Sequence, residues 1–222
     1  TQTFTIDDTQ APDVTCPTAD IVEGCDTDDI LNGAQTALAY SETAVTITSV
    51  QFVAEGGSVI EACDYTITYQ DASTGTCPTV VTRTFTVTDA CLNTDACTQT
   101  ITIDDTTAPD VTCPSAIVVE GCDTDDITNG AQTALAYSET AVTITTTQFT
   151  AEGGSVIEAC DYTITYQDAS TGTCPTVVTR TFTVTDACLN TDVCTQTITI
   201  DDTTAPDVTC PSAIVVEGCD TD

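Results

Sequence analysis

Apolar and polar side chains alternate over long stretches of the chain. Tyr65, Ile67 and Tyr69 fall on one face of an extended segment, and Thr66 and Thr68 on the other. Phe85 and Val87 alternate in the same way with Thr82, Thr84, Thr86 and Thr88, and Ile101 and Ile103 with Thr100 and Thr102. A period of two marks half-buried antiparallel strands. The pattern predicts strands over residues 64–70, 80–89 and 98–104. Turns at Ser73-Thr74-Gly75 and Leu92-Asn93-Thr94-Asp95 make them consecutive hairpins. Upstream, residues 14–17 and 19–25 read as a first extended stretch, and residues 44–47 as a short strand. Residues 30–40 show no clean period and read as an irregular loop with room for a short helical turn. Thr48 or Ser49 is placed to N-cap one or two helical turns through Gln51, Phe52 and Ala54, which Gly56-Gly57 stops.

The whole pattern then recurs. Cys16, Cys113 and Cys210 stand 97 residues apart, and every other cysteine of the first copy has its counterpart at the same step. A fixed period of this kind decides the architecture. The seam is Asp104-Asp105-Thr106-Thr107-Ala108-Pro109-Asp110-Val111-Thr112-Cys113-Pro114. It is copied at residues 201–211 and nearly so at residues 7–17, where Gln10 replaces a threonine. Proline at the seam fixes its own φ and biases the residue before it towards extended backbone, so the link is stiff. Residues 1–8 read as the last strand of a preceding repeat, 9–105 and 106–202 as two repeats, and 203–222 as the start of a third. A window from a longer chain is the simplest expectation, with no leader or anchor expected within it. Repeats of this size with many short strands imply an all-β chain of tandem immunoglobulin-like β-sandwich domains, disulfide-stapled, with one short helix each.

Cysteine usage adds the staples. Six per repeat, with no histidine in the chain, suits a disulfide framework better than a zinc site. Cys16 and Cys25 are about 30 Å apart if the stretch between them is extended, far beyond bridging distance. Strand directions therefore put Cys16, Cys63, Cys91 and Cys97 at the end facing the preceding repeat, and Cys25 and Cys77 at the end facing the next. Closure within each repeat predicts Cys25–Cys77 and Cys122–Cys174. For the rest, Cys63–Cys91 with Cys16–Cys97 comes first, and Cys91–Cys97 with Cys16–Cys63 second. The second repeat follows suit with Cys160, Cys188, Cys113 and Cys194. Each bridge stabilises by about 2–4 kcal/mol. Cys210 and Cys219 find no partner in either scheme.

Charge narrows the function classes. The formal net charge is −33, and Arg83 and Arg180 are the only basic residues. This balance excludes nucleic-acid binding by the usual electrostatic route and argues against docking on anionic lipid. No apolar run approaches the ~18 residues of a membrane-spanning helix. Catalysis has little to use: there is no histidine, lysine or phosphate loop, and Glu55 and Glu61 as paired carboxylates occur in both copies. The expectation is a non-enzyme.

The seam concentrates acid. Asp26, Asp28 and Asp29 follow Cys25 at the forward end of repeat one, Asp104 and Asp105 close its last strand, and Asp110 opens repeat two. Asp123, Asp125, Asp126, Asp201, Asp202 and Asp207 repeat the set one step on. Asp186 and Asp192, in backward-facing turns of repeat two, are placed to join the first set. Calcium takes 6–8 oxygens, so Ca²⁺ at the inter-repeat joints is one expectation. The other is that these aspartates cap turns and stay solvated. The spacing is not that of an EF-hand.

Arg83 shares the inward face with Phe85 and Val87, which suits a buried stem paired to a carboxylate better than a binding-site cation. Threonine, roughly a quarter of the chain, fills the outward strand faces. A solvated sheet face is the plain reading, with O-glycans at Thr106 and Thr203, lateral self-association, or ice binding as alternatives.

The run from Thr98 through the seam to Pro114 resembles the hyalin-repeat-like (HYR-like) modules of giant cell-surface adhesins of the Bacteroidota, gliding adhesins among them. Thr86-Val87-Thr88-Asp89-Ala90-Cys91-Leu92-Asn93 is similar to that family's Thr-Asp-x-Cys-Gly-Asn turn, with Leu92 where glycine is usual. The resemblance implies an immunoglobulin-like fold, export to the cell surface and tandem arrays acting as stalks. The expected function is then a structural stalk or filament repeat of an extracellular adhesin, supplying reach and mechanical strength, with neighbouring repeats of the same long chain as its partners. A self-assembling filament or surface-layer subunit is the first alternative, and a glycan-binding module the second.

Overall fold

The alternating segments become the centre of each repeat. The computed structural model describes residues 2–3, 7–33, 37–129, 134–214 and 217. Repeat one runs β1 (Asp13–Thr15), β2 (Asp20–Glu23), a 3-10 turn (Thr27–Asn32), β3 (Val45–Ile47), α1 (Ser49–Ala54), β4 (Ser58–Ile60), β5 (Tyr65–Thr74), β6 (Thr79–Asp89) and β7 (Thr94–Asp104). Repeat two runs β8 (Asp110–Thr112), β9 (Ile117–Glu120), a 3-10 turn (Thr124–Asn129), β10 (Val142–Ile144), α2 (Thr146–Ala151), β11 (Ser155–Ile157), β12 (Tyr162–Thr171), β13 (Thr176–Asp186) and β14 (Thr191–Asp201).

β5, β6 and β7 form an antiparallel meander, Ile67 facing Val87 and Phe85 facing Cys97. β3 extends one edge of this sheet, and β2 joins the other in parallel, with Val22 opposite Ile103. The ribbon of β1 and β4 covers the inner face, where Val14 and Val59 pack on Leu38, Phe52, Ile67 and Phe85. The result in each repeat is a sandwich-like β domain, and the second copies the first. α1 starts where the sequence pattern places it. Thr48 accepts from the Gln51 N–H at 3.2 Å while Gln51 accepts from the Thr48 N–H at 3.0 Å, a reciprocal capping box. Gly57 follows because a Cβ there would overlap the edge of the Phe52 ring.

Two features depart from the sequence expectation. β5 and β7 run longer than the alternation suggests, so the first hairpin turns after Thr74. β4 has no counterpart in the expectation, because Ser58-Val59-Ile60 is too short to show a period. Residues 34–36 of the loop, four residues of the 1–8 stretch (Thr1, Phe4, Thr5 and Ile6), and Cys219 lie outside the described residues.

A polar row divides the core. Asp71, Arg83 and Gln99 sit side by side on β5, β6 and β7, all buried. Below them lies the cluster around Phe85, and above them Val22, Ile30, Val81, Ile101 and Ile103. The Arg83 guanidinium donates to both Asp71 oxygens at 2.8 and 2.9 Å and to the Leu38 carbonyl at 2.9 Å, and it lies over the Tyr69 ring. Full burial of this pair is tolerable because fork-to-fork hydrogen bonds replace lost water. Arg180 and Asp168 repeat the arrangement. Arg83 therefore has the structural role that its position on the inward face suggests. Threonines pair across the outer face, Thr68 with Thr86 and Thr82 with Thr100. Among the described residues no helix is long and apolar enough to cross a membrane.

Candidate functional site

The site is the seam between the repeats. On its near side, β2 ends at Glu23 and the chain turns through Gly24 and Cys25. The Gly24 N–H donates to the Asp104 carbonyl at 3.3 Å, and Asp29 accepts from the Cys25 N–H at 2.7 Å. A Cβ on Gly24 would overlap the Asp29 side chain, so this turn requires glycine. Cys77 stands in the turn between β5 and β6.

On the far side two cysteines are presented by carboxylate-capped turns. Glu158 accepts from the N–H groups of Ala159 and Cys160 at 2.7 and 2.9 Å. Asp186 accepts from the N–H groups of Cys188 and Asn190 at 2.8 and 2.9 Å. Leu189 between them takes φ of 70°, as Leu92 does at 69° in repeat one. A left-handed leucine costs roughly 1–2 kcal/mol, which the aspartate's hydrogen bonds to the same turn offset. Asn190 also reaches across the seam, donating to the Asp105 carbonyl at 2.7 Å.

The bonds cross the joint. Cys25 pairs with Cys160 and Cys77 with Cys188, at Cα separations of 5.4 and 5.2 Å. This corrects the expected Cys25–Cys77 and Cys160–Cys188 closures. The cysteines lie at the repeat ends that strand direction assigns, but each forward cysteine meets a backward cysteine of the next repeat. Cys16–Cys97 and Cys113–Cys194 close within their repeats, at Cα separations of 5.6 Å, and pack on the cores. The expected Cys63–Cys91 and Cys122–Cys174 bonds are absent. All four of these thiols are free and exposed, as is Cys210.

The predicted acidic cluster is only partly assembled. Asp26 caps the 3-10 turn, accepting from Asp28, and Asp29 is occupied by Cys25 and Asn32. Asp192 accepts from the Val111 N–H at 3.0 Å, tying β14 to β8 inside repeat two. Asp123 and Asp126 repeat the capping one step on, Asp125 is exposed beside them, and Asp202 accepts from the Thr204 N–H. Asp201 ends β14, and Asp207 is exposed. Asp26, Asp28, Asp29, Asp105, Asp110 and Glu158 line one cavity of about 580 Å³ at the seam.

Asp105 differs from the rest. It is 6% exposed, and its Oδ2 has no partner. Asp186 and Glu158 lie within 4.8 Å of it. Burial, with Asp186 and Glu158 adding like charge, holds its carboxyl above the usual carboxylate range. Asp186 and Glu158 already serve the backbone N–H groups of their turns, so Asp105 Oδ2 is the oxygen of this group that is buried without a partner.

Glu23 was not among the expected residues. It accepts from the Thr106 N–H and hydroxyl at 2.9 and 3.0 Å and from the Thr107 hydroxyl at 2.9 Å. These bonds, the Thr106 N–H foremost, hold its carboxyl below the ordinary range. Glu120 treats Thr203 and Thr204 alike. The glycosylation candidates Thr106 and Thr203 thus have hydroxyls engaged by glutamate. Of the paired carboxylates, Glu55 is buried against the Ala37 N–H, whereas Glu61 caps the turn at Cys63. No family model matches the chain, and no curated protein sequence matches it.

Proposed function

We propose that the chain is a load-bearing segment of an extracellular, cell-surface stalk, built from immunoglobulin-like repeats of the adhesin type. One observation carries this reading: two disulfides lie in parallel with the peptide chain across a single joint. Four disulfides belong to an oxidising compartment, which supports placement outside the cytosol. A hinge for recognition or catalysis gains nothing from such bracing, whereas a tension element gains a joint that cannot swivel or part. The Cys16–Cys97 and Cys113–Cys194 bonds add a second property. Tension entering at one end passes through them and bypasses each repeat's interior.

Force spectroscopy on the oxidised chain tests this. Only residues 1–16 and 194–222 should extend, at up to about 3.6 Å each, with the joint held by its two bridges, and strong reductant should release the rest. Equal extension with and without reductant would sink the proposal. The calcium element of the reading rests on Asp105 and its two neighbours. A melting temperature that does not move on titrating the metal-free chain with Ca²⁺ removes that element and leaves the disulfide argument standing.

A further inference from the structure

The chain has 35 acidic residues, yet the outer face of the main sheet in each repeat is uncharged over most of its extent. Read across β5, β6 and β7, its central rows are Thr68-Thr86-Ala96 and Gln70-Thr84-Thr98. The rows on either side hold only threonine and alanine. Repeat two has Thr165-Thr183-Val193 and Gln167-Thr181-Thr195 at the same places. Carboxylates keep to the margin: Asp64 precedes β5, and Glu23 stands beside Asp104 at the seam corner. Strand propensity favours threonine at such positions, but it does not by itself clear a face of charge in so acidic a chain.

Three properties fit this face to a copy of itself. Its relief is low, because the side chains are short and Gln70 lies towards the rim, donating to the Glu42 carbonyl at 2.8 Å. A second sheet can therefore approach to the ~10 Å spacing of stacked sheets. Each threonine hydroxyl both donates and accepts, so two identical faces are complementary, as a twofold contact requires. The face also exposes apolar side chains that contact would cover. Ile21, beside Thr102, is 78% exposed, and Val118 and Val193 are exposed in repeat two.

We propose that the threonine face of each repeat is a lateral docking surface for a second copy of this chain, sheet against sheet. Area and charge argue for that occupant. At about 4.8 Å between strands and 3.4 Å per residue, the face covers roughly 600 Å² per repeat. Two such faces bury about 1,200 Å² together, the lower end of a specific interface. Both molecules are strongly negative, so contact through their margins sets carboxylate against carboxylate, whereas contact through this face does not. A single pair of faces binds weakly, and successive repeats held in line add to it. The stalk reading gives this contact a purpose, the joining of stalks side by side, but the geometry comes from the sheet alone.

The test is sedimentation equilibrium of the oxidised full chain up to about 1 mM, with its free thiols capped by iodoacetamide so that no covalent link contributes. A reversible dimer is expected. It should tighten about tenfold between roughly 0.02 M and 0.5 M salt, because salt screens the acidic margins and leaves the hydroxyl contacts in place. T84E/T181E puts a carboxylate at the centre of both faces. It should keep the parent melting temperature and weaken the dimer at least about tenfold. Mixed with T84K/T181K, it should regain a dimer of one copy of each, and the lysine variant should prefer it to the parent chain. That rescue separates a lost contact from a damaged fold.

A chain that stays monomeric at the highest concentration and salt overturns the proposal. So does a dimer that T84E/T181E leaves intact, since it must use another surface. A monomer that shapes growing ice, or native material with O-glycans on Thr84 or Thr181, assigns the face to another occupant and overturns it too. A monomer that still shows the shortened extension described above loses this inference and keeps the stalk reading. A dimer that extends equally with and without reductant does the reverse.

Discussion

The seam and the open ends are the same surfaces with and without a neighbour. Cys160 is buried at the seam, and its counterpart Cys63 is exposed. Asp105 is buried there, while Asp202, one repeat on, is exposed. Sequence does not separate these pairs, since each shares its residue type and local turn. Burial at the seam is supplied by the adjoining repeat. The joint is thus a property of two repeats, and a single one carries only half of it.

The largest expected effect comes from making the seam resemble the open ends. C25S/C77S leaves Cys160 and Cys188 unpaired and should cost about 4–8 kcal/mol if the bridges add at 2–4 kcal/mol each. Calorimetry should then resolve two melting transitions in place of one. A single unshifted transition would mean that the repeats are coupled without their bridges. Arg83→Ala strips Asp71 of its partner in the interior and should cost about 3–5 kcal/mol. It acts inside repeat one, so in the parent chain it should drag down repeat two through the seam. In C25S/C77S it should lower one transition only.

Asn190→Ala removes a hydrogen bond across the seam and should cost about 1 kcal/mol. Asn93→Ala removes the equivalent bond to Asp8 at an open end, where no second repeat is held, and should leave coupling between repeats unchanged.

The smallest effects are those of pH. Asp105 holds its proton more tightly folded than unfolded, so its penalty is absent below the ordinary carboxylate range. The penalty develops as pH rises through the raised value. Asp105→Asn should therefore raise the melting temperature at neutral pH by about 2 °C and do little in acid. Glu23 has the opposite sign. Its carboxyl is held low, so its contribution is present at neutral pH and fades as pH falls through the lowered value. Glu23→Gln should destabilise the seam near pH 7, with the difference vanishing in acid. Melting curves across pH for both variants check the two signs together.

How much of this was legible follows from the physics of each signal. β5, β6 and β7 were readable because period two survives over long strands with one wet face. α1 was readable because its capping box is local. β4 was not, since three residues carry no period. The cysteine ends were readable from strand direction, but the partners were not. In a repeating chain, Cys77 and Cys160 both lie at the end where Cys25 sits, one in its own repeat and one in the next, and spacing cannot choose between them. Spacing shows where the aspartates gather but not which of them serve nearby backbone N–H groups, as Asp26, Asp29, Asp123 and Asp126 do. Glu23 was missed because its partners, Thr106 and Thr107, lie on the far side of the repeat in sequence.

The four bridges also overlap along the chain. Cys16–Cys97, Cys25–Cys160, Cys77–Cys188 and Cys113–Cys194 leave no peptide bond between Cys16 and Cys194 outside every loop. A protease that clips any one of those bonds therefore liberates no fragment, and the nicked chain remains one molecule until a reductant reaches it.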